Sequence, residues 1–371
     1  MRDKLAEWLL AKVMEWSPAD VARERPLLQA MAAFKYDEYQ QFFPGMRFVE
    51  SLANWLSQFA NREERTIAYE FVKKHLVFCS SAEMNHLVTM AYPDFVRPVL
   101  QRRVATELRV PARFVKRVAN SVQFRVAQRR CLFLGLSDGA RIDVFRRSNN
   151  PELSHEQILP TYDISPDRVM EALGKLRADL TSLLGSTPPE ELCKFGTIVL
   201  LDDFSASGVS YLRKNAAGQV EGKLEKFRKR IADPKEPSSA LADLSRSEVI
   251  VLLYMATEQA RAHLEGICRE IWAPSGANCS VQVVHPLRAQ LKIAAGDGNL
   301  FGTLLEKYYD PTIETESSKK GGTDLKYGFA ACGLPLVLSH NTPNNSVYLL
   351  WAESKKLRAL FPRVDRHRKE A

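Results

Sequence analysis

The chain has 371 residues, of which 45% are hydrophobic and 26% charged, with a formal net charge of +8. That length exceeds one usual domain, so two folded units are expected, and the composition is that of an ordinary globular protein. No apolar run approaches the ~20 residues a membrane helix needs, and the charged N-terminus lacks a signal-peptide core, so no membrane partner is expected and the cytoplasm is the default location. Six scattered cysteines without a CxxC pair argue against zinc and against a disulfide framework.

Residues 1–125 read as nearly all helix. Leu5, Trp8, Leu9, Lys12, Val13 and Trp16 give an amphipathic first helix, stopped by Ser17-Pro18, which also fits the cap and first turn of the next. Apolar residues recur at helical intervals over 48–59 and 68–76, and Ser80-Ser81-Ala82-Glu83 has the form of a capping box. Trp55 and Phe59, one turn apart, read as core, while His75 and His86 lack metal-ligand spacing. The basic residues between Arg102 and Arg130 are helically spaced, which allows either a salt-bridged surface or a nucleic-acid contact.

The texture changes near residue 130. Cys131–Leu136 is a short apolar strand that empties into Ser137-Asp138-Gly139, either a ligand-facing loop or a simple turn, with a helix carrying Ile142, Val144 and Phe145 beyond it. Residues 153–162 are loop and short strand. There His155 and Glu156 are either a cover over a site or a polar turn, since no HExxH spacing exists. A helix over 167–184 precedes Thr197–Leu201, an apolar strand that runs into Asp202 and Asp203 and then into Ser205, Ala206, Ser207, Gly208, Val209 and Ser210. Such a run reads as a strand buried on both faces of a parallel sheet, where ligands sit beyond the carboxyl ends. The backbone amides, the hydroxyls and Gly208 suit a phosphate, and the two carboxylates suit a pair of sugar hydroxyls or a hydrated Mg²⁺. The alternative is that the aspartates cap a following helix.

Downstream, residues 215–219 form a turn within an insertion, 224–231 begin a basic helix, and 249–255 and 281–284 are further strands around a helix over 257–271. This alternation argues for a parallel sheet in a three-layer α/β domain. A last strand near 334–338 ends in an amide-rich loop with His340, Asn344 and Asn345, which either reads a nucleobase edge or makes turns. The expected organisation is a helical N-terminal domain over 1–125, an α/β domain over 126–353 and a basic C-terminal tail over 354–371.

The strand, acidic pair and Ser/Gly loop of 197–210 resemble the ribose-5-phosphate signature of type I phosphoribosyltransferases. Together with Ser137-Asp138-Gly139 and the Asn-Thr-Pro-Asn-Asn-Ser…Trp ending, they resemble the phosphoribosyltransferase-like proteins of bacterial conflict (antiphage defence) systems, over roughly residues 131–351. The resemblance implies a three-layer, Rossmann-like phosphoribosyltransferase fold. It assigns Asp202 and Asp203 to the ribose hydroxyls of phosphoribosyl pyrophosphate, residues 205–210 to its 5′-phosphate, and residues 137–139 to its pyrophosphate. Asp138 then either stands on the metal side or points away. Mg²⁺ is implied on the ligand, with no direct protein ligand assigned, and proteins of a defence operon are implied as partners. His340 or Glu156 stands as a candidate on the base side, because Ala206 occupies the loop position where purine-salvage members carry an Asp, and it cannot transfer a proton. The implied activity is therefore transfer or hydrolysis at an anomeric carbon. The rivals are a nucleotide-sensing module without turnover and a nucleic-acid-binding protein using the basic helical half.

Overall fold

The apolar runs at 131–136, 197–201, 249–255 and 281–284 become strands of one parallel sheet. The computed structural model describes residues 2–296 and 298–364. Among these, nine strands occur in chain order: β1 (Val77–Cys79), β2 (Cys131–Gly135), β3 (Ile158–Pro160), β4 (Thr197–Ser205), β5 (Arg213–Lys214), β6 (Val220–Glu221), β7 (Glu248–Thr257), β8 (Asn278–Leu287) and β9 (Leu336–Leu338). The chain divides into two compact units, residues 1–83 with 288–371, and residues 84–287.

The second unit is built on the five-stranded sheet β3-β2-β4-β7-β8, parallel throughout. Branched and long aliphatic side chains dominate its central strands, which are buried along nearly their whole length. Alternate residues supply the two faces. Leu132, Ile198, Leu200, Val251 and Leu253 pack with Leu176 of the helix Pro166–Leu184, Phe227 of Lys223–Ala232 and Leu264 of Glu258–Trp272. On the other face Phe133 meets the rings of Tyr92 and Phe145. Helices on both faces make the three-layer α/β arrangement expected from the sequence.

The packing of the helical stretch before β2 accompanies this division into units. The sequence texture changes near residue 125, yet helices Arg97–Glu107 and Val122–Arg129 pack on each other, and the latter packs on Pro166–Leu184 within the sheet-bearing unit. A parallel sheet needs cover on both faces: Val122–Arg129 joins the side of Pro166–Leu184, with Val126 against that core, and Tyr92 of Ala91–Val96 lies on Phe133 on the other side.

In the first unit β1 and β9 pair in parallel, Val77 with Leu336 and Cys79 with Leu338. Ser17 caps the second helix in a capping box, and Ser80 and Glu83 exchange reciprocal hydrogen bonds at the next predicted cap. Trp55 and Phe59 are core, as expected. The first helix forms, but on a different face. Leu5 and Trp8 are 64% and 60% exposed, while Leu10 and Met14 are buried against the helix Phe48–Leu56.

The tail also departs from expectation. Leu357, Leu360 and Phe361 are buried, and Phe361 lies among Tyr36, Tyr39, Phe42, Phe48 and Phe78. Apolar residues set between the basic ones anchor residues 357–361 in a core, and the rest of the predicted tail, 365–371, lies outside the described residues.

Candidate functional site

The strand order reverses between β2 and β4. The chain leaves β2 for the edge strand β3 on one side, whereas β4 leads on to β7 on the other. At such a switch point the two departing loops diverge and open a crevice at the carboxyl ends, the usual ligand position in open α/β sheets. β2 ends at Gly135 opposite Leu201, while β4 continues to Ser205 beside β7. Asp202 and Asp203 thus stand just past the end of β2, and the loop after β2 folds over them.

Leu136 N–H donates to Leu201 O, and the Ser137 hydroxyl donates to Asp202 Oδ1 at 2.5 Å. Gly139 lies against the other carboxylate so closely that a Cβ there would sit 2.4 Å from Asp203 Oδ2. Asp138 is exposed and accepts a hydrogen bond from Tyr162 OH at 2.8 Å. The structure therefore brings residues 137–139 and the acidic pair together.

Adjacent residues on a strand face opposite ways, so the two aspartates have different surroundings. Asp202 is fully buried. Besides Ser137, it accepts from Tyr211 OH at 2.7 Å, from the Asp203 N–H at 3.1 Å and from Lys223 Nζ at 2.8 Å. A buried carboxylate needs a cation and hydrogen-bond donors, and here it has both. Asp203 is half-buried, and its Oδ1 accepts the Phe204 N–H at 2.8 Å. Burial, followed by the neighbouring charge of Asp202, pushes the Asp203 carboxyl up to about 7, with Lys223 acting in the opposite direction.

Tyr211 and Lys223 were not singled out from the sequence. Lys223 arrives because the β5–β6 hairpin returns the chain to its starting point, where Leu224 N–H donates to Tyr211 O. Gly222 makes that return possible: its φ is +127°, and a Cβ there would fall 2.2 Å from Tyr211 O. A glycine at the close of a hairpin followed directly by a lysine was the available signal. Its distance from the acidic pair in sequence concealed it.

The loop after β4 is tied internally. Ser205 Oγ accepts the Gly208 N–H at 3.2 Å, Ser207 Oγ accepts the Val209 N–H at 3.3 Å, and both serines are buried. Thr257 Oγ1 donates to Ala206 O at 2.5 Å. Gly208, with φ +77°, sits where a Cβ would approach His263 Cδ2 to 2.7 Å. Ser210 is exposed. Two of the three hydroxyls thus shape the loop, and Ser210 faces solvent.

The remaining candidates are His155, Glu156, His340, Asn344 and Asn345. His155 and Glu156 occupy a short 3₁₀ turn at the amino end of β3, where Gln157 donates to Cys131 O at the start of β2 and Glu156 pairs with Lys175. They are a polar turn at the end of the sheet away from the acidic pair, not a cover over it. His340, Asn344 and Asn345 belong to the first unit. The Asn345 side-chain amide donates to Phe329 O at 3.1 Å, Asn344 O accepts the Phe329 N–H, and His340 O accepts from Gln41. The two asparagines hold a turn, the alternative left open by their composition.

Among the described residues no group of three His, Cys, Asp or Glu is arranged to hold a metal, and no helix is long and apolar enough to cross a membrane. Among the described residues no cysteine forms a disulfide.

The model of one protein family, PRTase-CE, matches residues 52–363. No curated protein and no solved structure matches the chain.

Proposed function

The chain belongs to the PRTase-CE family, and on that premise we propose that it binds a ribose 5-phosphate ligand, phosphoribosyl pyrophosphate or a nucleotide, at the carboxyl ends of β2 and β4. The observation that carries the reading is the meeting of two loops at the switch point, with Ser137 bonded to Asp202 and Gly139 lying against Asp203. In this reading Ser210 and the loop of 206–210, shaped by the Gly208 and Val209 amides on Ser205 and Ser207, hold the 5′-phosphate. Asp203, the carboxylate left partly exposed, accepts from the ribose hydroxyls. The loop 137–139 faces the pyrophosphate.

Asp202 has a different part. Neutralised by Lys223 and held by two hydroxyls, it fixes the loop after β2 and the return of the hairpin in one geometry. Cleavage at the anomeric carbon would send the C–O electron pair out with pyrophosphate and leave an oxocarbenium-like centre for a base or water to attack. Positioning and electrostatics are the contributions such a site can make. The carboxylates of Asp138, on the loop after β2, and Asp203, near the end of β4, would suit the water shell of a Mg²⁺ carried in on the ligand's phosphates, whose charge would offset that of the leaving group.

A second reading is a nucleotide sensor without turnover. It is favoured by the complete burial of Asp202 and by Ala206, which offers no proton donor on its side of the loop. Titration calorimetry with Mg²⁺ and phosphoribosyl pyrophosphate, paired with an assay for released pyrophosphate, separates the two. Saturable binding with release supports transfer or hydrolysis, saturable binding without release supports the sensor, and no binding removes both. A role in bacterial conflict, with partner proteins from the same operon, rests on the sequence resemblance, and the cytoplasm is the default location for it. Plaque counts on cells with and without the intact operon test it.

A further inference from the structure

Residues 102–125 hold seven basic side chains against a single carboxylate, Glu107. Their helical spacing would give a salt-bridged surface only if carboxylates were interleaved. Arg103 is engaged, with Glu248 at 3.2 Å and Thr197 Oγ1 at 2.9 Å. Arg102, Arg109, Arg113, Lys116, Arg117 and Arg125 are exposed and form no ion pair among the described residues. A dense set of like charges without counter-ions repels itself and gains nothing for the fold, which makes it the footprint of an anionic partner.

The surface carries an aromatic as well. The Arg113 guanidinium lies 5.5 Å from the ring centre of Phe114, which is 43% exposed. Arg113, Phe114, Lys116, Arg117 and Asn120 line a shallow concavity of about 470 Å³ together with Val115. Cations for a phosphate backbone beside an exposed ring for a base are the two components of single-strand recognition. Only Phe114 and Val115 present exposed apolar bulk there, less than an amphipathic helix uses to enter a bilayer. Because Arg103 reaches Thr197 and Glu248, the first residues of β4 and β7, this stretch lies at the amino ends of the strands. It is separate from the acidic pair and phosphate loop at their carboxyl ends.

We propose that residues 109–125 are a docking surface for single-stranded nucleic acid. The test is fluorescence anisotropy of labelled 20-nucleotide oligo(U) and oligo(dT) with the full chain across a salt series. Contacts to about four phosphates give a log–log salt slope near −3, so affinity falls by roughly sixtyfold between 50 and 200 mM salt. The triple variant Arg113→Glu, Lys116→Glu, Arg117→Glu weakens binding at least tenfold and makes the slope shallower by about 2. Phe114→Ala weakens it by roughly fivefold or more while leaving the slope unchanged. The pair Lys355→Glu, Lys356→Glu, also exposed, changes affinity by less than twofold. Absence of oligonucleotide binding at 50 mM salt would overturn the proposal, as would a triple variant that binds like the wild type. Recruitment to phosphatidylserine vesicles that oligonucleotides fail to displace would also overturn it.

Discussion

Replacing Lys223 by Met probes how the acidic pair is held. The Lys223 ammonium lies 2.8 Å from Asp202 Oδ2, and Asp202 has no exposed surface. Removing one partner of a buried ion pair destabilises by ~3–5 kcal/mol, because the remaining charge is left uncompensated. Two features place this case at the lower end. The Lys223 side chain is 37% exposed, and the Ser137 and Tyr211 hydroxyls still donate to Asp202. The expected loss is about 3 kcal/mol, equivalent to a fall in Tm of roughly 6–12 °C for a unit of this size. Asp202→Asn in the same background removes the stranded charge and recovers about half of that loss. Asp202→Asn alone has a smaller effect than Lys223→Met, because the freed ammonium can turn to water. Differential scanning calorimetry of the four proteins gives the complete cycle. A Tm for Lys223→Met within about 1 °C of wild type would refute the reasoning. So would an Asp202→Asn effect that adds to it instead of offsetting it.

Gly222→Ala places a Cβ 2.2 Å from Tyr211 O at a φ of +127°, and backbone cannot yield as a side chain can. Urea denaturation is expected to show a loss on the order of 3 kcal/mol or more. Gly139→Ala meets a carboxylate instead of backbone and displaces Asp203. Ribose 5-phosphate affinity, measured by calorimetry, falls at least tenfold, with a stability loss of about 1 kcal/mol or less. Asp203 titrates near 7 in the folded chain, above its unfolded value, so the folded form binds the extra proton. Its contribution to stability is full below about pH 4 and is lost as pH rises to about 7. Chemical denaturation of wild type against Asp203→Asn across pH 4–8 checks this, the variant losing less stability over that window. The same ionisation makes the wild-type to variant ratio of ribose 5-phosphate affinities rise between pH 6 and 8, since only the carboxylate accepts from both ribose hydroxyls.

The strand and loop that frame the candidate site were legible because their signal is local. An apolar strand running into Asp202-Asp203 and a Ser/Gly loop is continuous in sequence, and the alternation of strands with helices from 131 onward supplied the sheet. Three kinds of information were not local. The ion pair of Asp202 with Lys223 closes across a hairpin whose return depends on Gly222. The different surroundings of the two aspartates come from strand alternation combined with what covers each face, which spacing alone does not specify. The buried face of the first helix depends on its partner helix, and so Leu10 and Met14 are inside where Leu5 and Trp8 were expected. The burial of Leu357, Leu360 and Phe361 was obscured by the basic residues around them.

The most direct test of the account is a crystal structure of the protein soaked with Mg²⁺ and phosphoribosyl pyrophosphate. The account predicts phosphate density against the loop of 206–210 and the Ser210 hydroxyl. It also predicts ribose hydroxyls within ~3 Å of the Asp203 carboxylate and the pyrophosphate over Ser137–Gly139. Ligand density elsewhere, with the 206–210 loop empty at saturating concentration, would contradict it.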